Sequence, residues 1–430
     1  MSTTIIIGVI TVALFITSVI FYPKISIKKR NIIIYPFIPM LGAIAMIIAG
    51  SISIKDIMGR FLENTAVNPI KILVLFLSMT IFSLILERTG FFSYISSEVL
   101  KKAGKKQVKI FIFIYFIISF LTIFTSNDIV ILTFTPFICH FCRSAKINPI
   151  PYLIMEFIAA NTWSLLFVIG NPTNIYIAGS FSIGFVDYFK VMAIPTIAAG
   201  TVSLGVMLLL FGKSLKKEIC VEIESAKITD KPLMIISLAH LILCVIMLAI
   251  SQYLNIEMWL ISLGCFISVL ICSISYQKIR GKGIGKVKLA LLSMPTEIVP
   301  FIIGMFIVVL AMDNVGITKE ISDMLKGTDE LFSYGYLSFV FSNVLNNIPM
   351  SLLFSKIIEI EASIPKIFAT IAGSNLGAFL TPAGALAGIM WMNLLKSNDV
   401  KLNTISFIKY GLIIGVPSMS VLLLVLKVIC

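Results

Sequence analysis

Asparagine, serine and glycine punctuate the hydrophobic runs of this chain at two places roughly half its length apart. The stretches Ala160-Asn161-Thr162 to Asn174 and Ser374-Asn375-Leu376 to Ala387 align without a gap, matching Gly170 to Gly384 and Asn161 to Asn375 at one offset of 214 residues. Two further breaks accompany them. Ser126-Asn127-Asp128 follows an apolar run ending at Phe124, and Asn346-Asn347-Ile348-Pro349 holds the corresponding place in the second half, with an offset of 219 residues between Asn127 and Asn346. The first backbone N–H groups after a helix break have no intrahelical partner, so an Asn or Ser there caps them while its remaining oxygen or amide faces a solute. Helix N-termini that face each other also concentrate positive potential, which suits an anion. Capping or bridging of helices is the alternative role for such residues; four breaks in symmetric order favour a solute site. The candidate binding residues are therefore Ser126, Asn127, Asn161, Thr162, Asn171, Asn174, Asn346, Asn347, Ser374, Asn375 and Thr381, with Gly170, Pro172, Pro349, Gly377, Pro382 and Gly384 forming the breaks.

Two carboxylates lie beside these breaks, Asp128 at the first and Glu156 five residues before Asn161. A carboxylate at membrane depth is costly, and its usual use is proton or cation coupling. Glu297 and Asp313 stand at the two ends of one apolar run, where interfacial placement is expected. Cys139, His140 and Cys142 lack the spacing of a zinc site and have no second cluster to complete one. The glycine-rich Gly281-Lys282-Gly283-Ile284-Gly285-Lys286 lacks the Ser or Thr after its lysine and the strand before it that a phosphate loop needs. No metal, cofactor or nucleotide hydrolysis is expected.

The elements that carry these residues follow from composition. Of 430 residues, 58% are hydrophobic and 13% charged, and the mean hydropathy is +1.04, values far outside those of soluble domains. Apolar runs near the length of a bilayer-spanning helix recur at about Thr3–Tyr22, Ile32–Gly50, Ile70–Leu86, Val108–Phe124, Val191–Phe211, Leu233–Ile250, Met258–Ile274, Glu297–Ala311 and Ile405–Val428. The less regular stretches Ile129–Cys142, Ile150–Phe185 and Leu331–Trp391 read as broken helices or re-entrant hairpins. An all-α polytopic membrane protein with about ten to twelve membrane segments is expected. The first run lacks a basic segment and a cleavage site, so it reads as a retained helix. The seven cysteines show no paired framework and imply no disulfide.

The formal net charge of +13 is spread over short loops without aromatic platforms, which excludes a nucleic-acid interface and fits positive-inside orientation in the cell membrane. Lys24, Lys28, Lys29 and Arg30, then Lys101, Lys102, Lys105 and Lys106, then Lys213 to Lys231 and Lys278 to Lys288, mark cytoplasmic loops, whereas the turn Ser251–Asn255 has no Lys or Arg. An apolar helix ending at Gly90 resembles one ending at Gly316, and each is followed by an amphipathic segment. The charge argument runs the first outside to inside and the second inside to outside. Two inverted-topology repeats are thus expected, residues 67–212 and 291–430, after N-terminal helices 1–66 and around a connector 213–290. Such repeats support alternating access about a midplane site.

The motifs Ser126-Asn127-Asp128, Glu156 with Ala160-Asn161, Gly170-Asn171-Pro172-Thr173-Asn174, Asn346-Asn347-Ile348-Pro349, Gly373-Ser374-Asn375-Leu376-Gly377, Thr381-Pro382-Ala383-Gly384 and Trp391 together resemble the ion transporter superfamily. The arsenite/antimonite permeases are the branch it is most similar to, with related anion permeases, sodium/proton antiporters and dicarboxylate/sodium symporters beyond. The resemblance implies a secondary transporter with a site built from hairpin tips and broken helices. It implies a proton or sodium ion and a small-molecule or ion substrate as partners, and leaves a homodimer and a separate ATPase subunit open. Arsenite permeases place carboxylates near Asn161 and at Asn375, and a Cys where Ser374 stands; here they are amides and a hydroxyl. Trp163 and Ser164 stand where related permeases have two glycines, and the indole is expected to narrow the cavity. The amide-rich set favours a small anion with a cation partner. An intramembrane enzyme would need a nucleophile–base pair or metal motif, and a channel would not need duplicated polar breaks.

Overall fold

The computed structural model describes residues 2–21, 25–27, 30–32, 34–63, 68–103, 105–216, 218–219, 226–281 and 283–430. Lys24, Lys28 and Lys29 of the first basic loop, Cys220, much of the Lys213–Lys231 loop, Lys282 and the expected boundary at 66/67 lie outside the described residues. Apolar runs in lipid must satisfy their own backbone, and here they do so as helices. Among the described residues six helices are long and apolar enough to cross a bilayer, Pro69–Arg88, Gln107–Phe124, Phe185–Phe211, Lys231–Ala249, Met258–Ile279 and Thr404–Ile429, and the bent pair Ile298–Asn314 with Ile317–Leu325 makes a seventh if taken as one span. Ser2–Phe21 and Ile38–Ile48 are further apolar helices. Beside this helical body stands one short antiparallel pair, Ile25–Ile27 with Arg30–Ile32, which the all-α expectation did not include.

Burial separates core helices from lipid-facing ones. The apolar window of Pro69–Arg88 is 78% buried, against 28% for both Lys231–Ala249 and Met258–Ile279. Those two helices pack on each other and on Pro69–Arg88, with their outer faces left for lipid. Phe185–Phe211 runs along Thr404–Ile429, and Ile38–Ile48 lies against Ile298–Asn314. Gly304 permits that last contact, since a Cβ there would stand 2.4 Å from the Met40 nitrogen.

The paired glycines of the sequence adopt one conformation. Gly90, between Pro69–Arg88 and Phe91–Ala103, has φ +80°, and Gly316, between Ile298–Asn314 and Ile317–Leu325, has φ +85°. A left-handed φ is open to glycine without steric cost, and it turns an apolar helix into an amphipathic one at both places. The second pair bends by 73°.

The irregular stretches resolve into half-length helices. Ile150–Phe185 contains Ile150–Trp163 and Pro172–Ser180 around a 3-10 turn Val168–Gly170, and Leu331–Trp391 contains Glu330–Leu345, Asn347–Glu359, Ile364–Leu376 and Leu386–Ser397. Ile129–Cys142 differs from its expected broken form: it lies inside one helix, Asn127–Ser144, that accommodates Pro136, and the break precedes it at Thr125 and Ser126. The arms then cross-pack. Asn127–Ser144 lies against Leu386–Ser397 from the second half, and Asn347–Glu359 lies against Pro172–Ser180 from the first.

Candidate functional site

Side chains cap two of the breaks, Asn171 before Pro172–Ser180 and Asn346 before Asn347–Glu359, whereas Ser126 and Ala385 precede their helices without a side-chain cap. At the first break in the chain, Ser126 is extended and Asn127 opens the following helix. The Asn127 Oδ1 accepts from the Asp128 N–H at 3.0 Å, while its Nδ2 donates to Asn161 Oδ1 at 3.0 Å. Asn161 Nδ2 in turn donates to the Phe157 carbonyl one turn back. The Ser126 hydroxyl is buried and has no partner. At the second break, Asn346 takes φ +75°, caps the Ile348 N–H through Oδ1 and donates from Nδ2 to the Ala383 carbonyl at 2.9 Å. A non-glycine residue there costs about 1–3 kcal/mol, strain that clusters at functional sites. Asn347 is buried with its Oδ1 unpaired. Pro172 starts Pro172–Ser180 and Pro349 sits in the first turn of Asn347–Glu359, positions whose missing N–H leaves no helical bond undone.

The two broken helices meet at Asn375, near the end of Ile364–Leu376. Its Oδ1 accepts from Ser164 Oγ at 3.0 Å and from Asn171 Nδ2 at 2.9 Å, and its Nδ2 donates to Asn174 Oδ1 at 2.7 Å and to the Ile371 carbonyl at 2.9 Å. Asn174 Nδ2 returns to the Ser164 carbonyl at 2.8 Å, and the Thr173 and Ser374 hydroxyls stand 3.0 Å apart. Asn171 also caps Pro172–Ser180 through the Thr173 N–H. Gly170 is required for this fold-back, because a Cβ would stand 2.3 Å from the Ser164 carbonyl oxygen. All of these side chains are buried.

The cluster is one-sided. At the same offset of 214, the positions matching Ser164, Asn171, Thr173 and Asn174 are Ala378, Ala385, Ala387 and Gly388. Asn161 therefore has no amide partners in the second loop and bonds across to Asn127 instead. Around Asn375 the amide groups are satisfied by one another, whereas Ser126 Oγ and Asn347 Oδ1 retain unused capacity. Unpaired buried polar groups are costly without a partner, so these are where a solute or water has most to offer.

The remaining expected residues fall outside that hub. Thr162 donates to the Ile158 carbonyl inside its own helix. Thr381 donates to Asn343 Oδ1 at 2.8 Å, and Asn343 Nδ2 donates to the Phe339 and Gly377 carbonyls. Gly377 and Gly384 are packed too closely for a Cβ, against the Phe339 carbonyl at 2.7 Å and Asn343 Oδ1 at 2.6 Å. Pro382 opens the 3-10 turn Pro382–Gly384. Asn343 is absent from the sequence reading, and Thr173 enters it only within the Gly170–Asn174 motif and not as a binding residue; the signal for Asn343 is a third amide three residues before Asn346. Trp163 donates from Nε1 to Tyr115 Oη at 2.9 Å and lies against Gly200, so the indole serves helix packing.

Glu156 is fully buried, accepts from Thr135 Oγ1 at 2.9 Å and leaves Oε2 unpaired. The Trp391 indole N–H, also without a hydrogen bond, lies near enough to act on it. Glu156 thus joins Ile150–Trp163, Asn127–Ser144 and Leu386–Ser397. Asp128 is half-buried in the first turn of Asn127–Ser144. Cys139 and Cys142 are buried while His140 is exposed, and no group of three or more His, Cys, Asp or Glu side chains is gathered among the described residues.

Broken apolar helices with amide-lined breaks at their centre define a polytopic membrane transporter fold. The crystal structure of the Alcanivorax borkumensis YdaH transporter, described as having an unusual topology, matches it with a TM-score of 0.57 over 99% of this chain and 97% of that one, at 13% identity. The family described as Citrate transporter matches residues 12–372, and the chain belongs to it. The chain is 26% identical over 401 residues to an Arsenical pump membrane protein of Escherichia coli, covering 89% of this chain and 91% of the relative. A Putative arsenical pump membrane protein of Bacillus subtilis is 24% identical over 407 residues, covering 87% and 89%. The 46 kDa membrane protein of Mycobacterium leprae is 25% identical over 372 residues, covering 81% and 84%. The chain is a multi-pass integral membrane transporter of this family, within the superfamily that its motifs resemble.

Proposed function

We propose that the chain is a secondary active transporter of the inner membrane that moves a small anion or oxyanion by alternating access, coupled to a proton or sodium gradient. It is not an enzyme in this reading. The observation that carries it is the meeting of two broken helices at Asn375, where amides from both halves of the chain converge. Residues 67–212 and 291–430 act as inverted repeats, and the shared glycine conformation and cross-packed arms support that exchange. The substrate is held by neutral donors and by the helix N-termini at Asn127 and Asn347, with Asn161, Asn346 and Asn347 contributing directly. No lysine or arginine bonds to this amide set among the described residues, so charge on the substrate is balanced by the coupling cation rather than by a fixed side chain. Asp128 and Glu156 are the coupling carboxylates.

Relatives named for arsenicals and a family named for citrate set the substrate panel. Proteoliposomes are assayed for uptake of arsenite, antimonite, sulfate, phosphate, citrate and succinate under imposed sodium or proton gradients, without nucleotide. Saturable, gradient-dependent uptake of one of them is expected. Uptake only with nucleotide and an added ATPase subunit would replace this reading with a pump subunit.

A further inference from the structure

Asp128 and Glu297 are far apart in the chain yet line one small cavity of about 30 Å³, together with Ser126, Tyr35, Thr80 and Ser293. A water-sized species needs roughly 10–15 Å³ on this scale, so the space holds one or two of them and no organic anion. Neither carboxylate has a hydrogen bond or ion pair to a side chain among the described residues. They are near enough to act on each other and on Tyr35. Ser126, 6% exposed, supplies a hydroxyl without any partner on the same wall.

A purely structural account exists, because each acid sits at the N-terminus of its own helix, Asp128 in the first turn of Asn127–Ser144 and Glu297 as the residue before Ile298–Asn314. Helix N-termini favour single carboxylates. They do not account for two carboxylates converging on one enclosed space, where like charges repel unless a cation lies between them. Arg88 donates to the Ser293 hydroxyl on the cavity wall, at 2.6 Å, and forms no ion pair with either acid among the described residues. The second half has no such charge: at the offset of 219, the residue matching Asp128 is Asn347.

We propose that Asp128 and Glu297 hold one monovalent cation between them, with Ser126 Oγ as a neutral ligand. Na⁺ and a proton share this chemistry. Two carboxylates and a hydroxyl provide the oxygen donors for Na⁺, and the same pair holds a single shared proton. The site adds Glu297 to the coupling carboxylate of the proposed function, and its role in coupling rests on that reading, although cation binding itself does not.

The test measures thermal unfolding of the detergent-purified full-length protein against NaCl, with choline chloride as the ionic-strength control, at pH 6 and pH 8. If Na⁺ is the occupant, the wild type gains stability saturably with Na⁺, and Glu297→Gln and Asp128→Asn weaken the apparent affinity at least about tenfold. Ser126→Ala, which keeps both charges, weakens it less and serves where a carboxylate variant fails to fold. If a proton is the occupant, Na⁺ has no specific effect, and the wild type gains stability between pH 8 and pH 6 while either amide variant loses that gain. Identical responses of wild type and variants to both Na⁺ and pH overturn the site. Anion flux measured after reconstituting the same protein into proteoliposomes keeps the two readings apart: a cation response without flux removes the transporter reading alone, and flux without a cation response removes this site alone.

Discussion

The amide of Asn171, in the first half of the chain, donates from Nδ2 to Asn375 Oδ1, in the second half, at 2.9 Å. A single residue of one broken helix thereby closes the loop of the other. Asn375 also takes Ser164 and gives to Asn174, so its removal orphans the Asn171 amide and the Asn174 side-chain oxygen at once, while Ser164 Oγ keeps the Asn161 carbonyl. Asn375→Ala should destabilise the protein by about 1–3 kcal/mol for each group left unpaired. Transport should fall with stability. The measurement is unfolding temperature in detergent beside uptake; a variant of unchanged stability would show that the hub does not hold the halves together.

Asn161 stands in a different position. It bonds only to Asn127 and to its own helix, so Asn161→Ala and Asn127→Ala each leave one buried side-chain group of the other unpaired and should cost about 1–3 kcal/mol, less than Asn375→Ala. Their transport should nevertheless drop roughly tenfold or more, the loss of one or two buried hydrogen bonds to the solute. Wild-type kinetics in both would leave these two amides with helix capping as their only role.

Asn346 separates backbone strain from side-chain bonding. At φ +75° an alanine is strained and a glycine is not. Asn346→Ala should therefore be about 1–2 kcal/mol less stable than Asn346→Gly, although both lose the bond to Ala383. Equal unfolding temperatures would contradict that backbone conformation.

Orientation is open to direct labelling. In a background without the seven native cysteines, Ser214→Cys and Gly281→Cys should react only from the cytoplasmic side. Tyr253→Cys, at an 80% exposed position in the turn between Lys231–Ala249 and Met258–Ile279, should react only from outside. Labelling of Ser214→Cys and Gly281→Cys from opposite faces would remove the basis for inverted repeats.

Much of the fold was legible because lipid leaves the backbone few options. Runs such as Val108–Phe124 and Met258–Ile274 became helices within a few residues of their apolar limits. The breaks were legible too, since Pro172, Gly170 and Asn346 each do locally what their chemistry requires. Partner choice was not. Nothing in the order of residues says that Asn375 bonds to Asn171 while its counterpart Asn161 bonds to Asn127, because that asymmetry depends on which loop kept its amides. Asn343 was passed over for the same reason: its bonds to Gly377 and Thr381 are set by tertiary packing, which one sequence does not display. Glu297 read as interfacial from its position at a run's end, and that position gave no sign of the cavity it lines with Asp128.

Coupling separates a transporter from a passive pore, and in the proposed function it rests on Asp128 and Glu156. The most direct measurement loads nucleotide-free proteoliposomes with the transported anion, imposes a sodium or proton gradient, and compares accumulation with one-for-one exchange in wild type, Asp128→Asn and Glu156→Gln. The expected result is accumulation against the anion gradient in the wild type, collapse of that accumulation by an ionophore, and its loss in Asp128→Asn while exchange continues; Glu156→Gln should behave alike. Full concentrative transport by the variant carrying both substitutions would contradict the account, as would wild-type flux that never exceeds equilibration under either gradient.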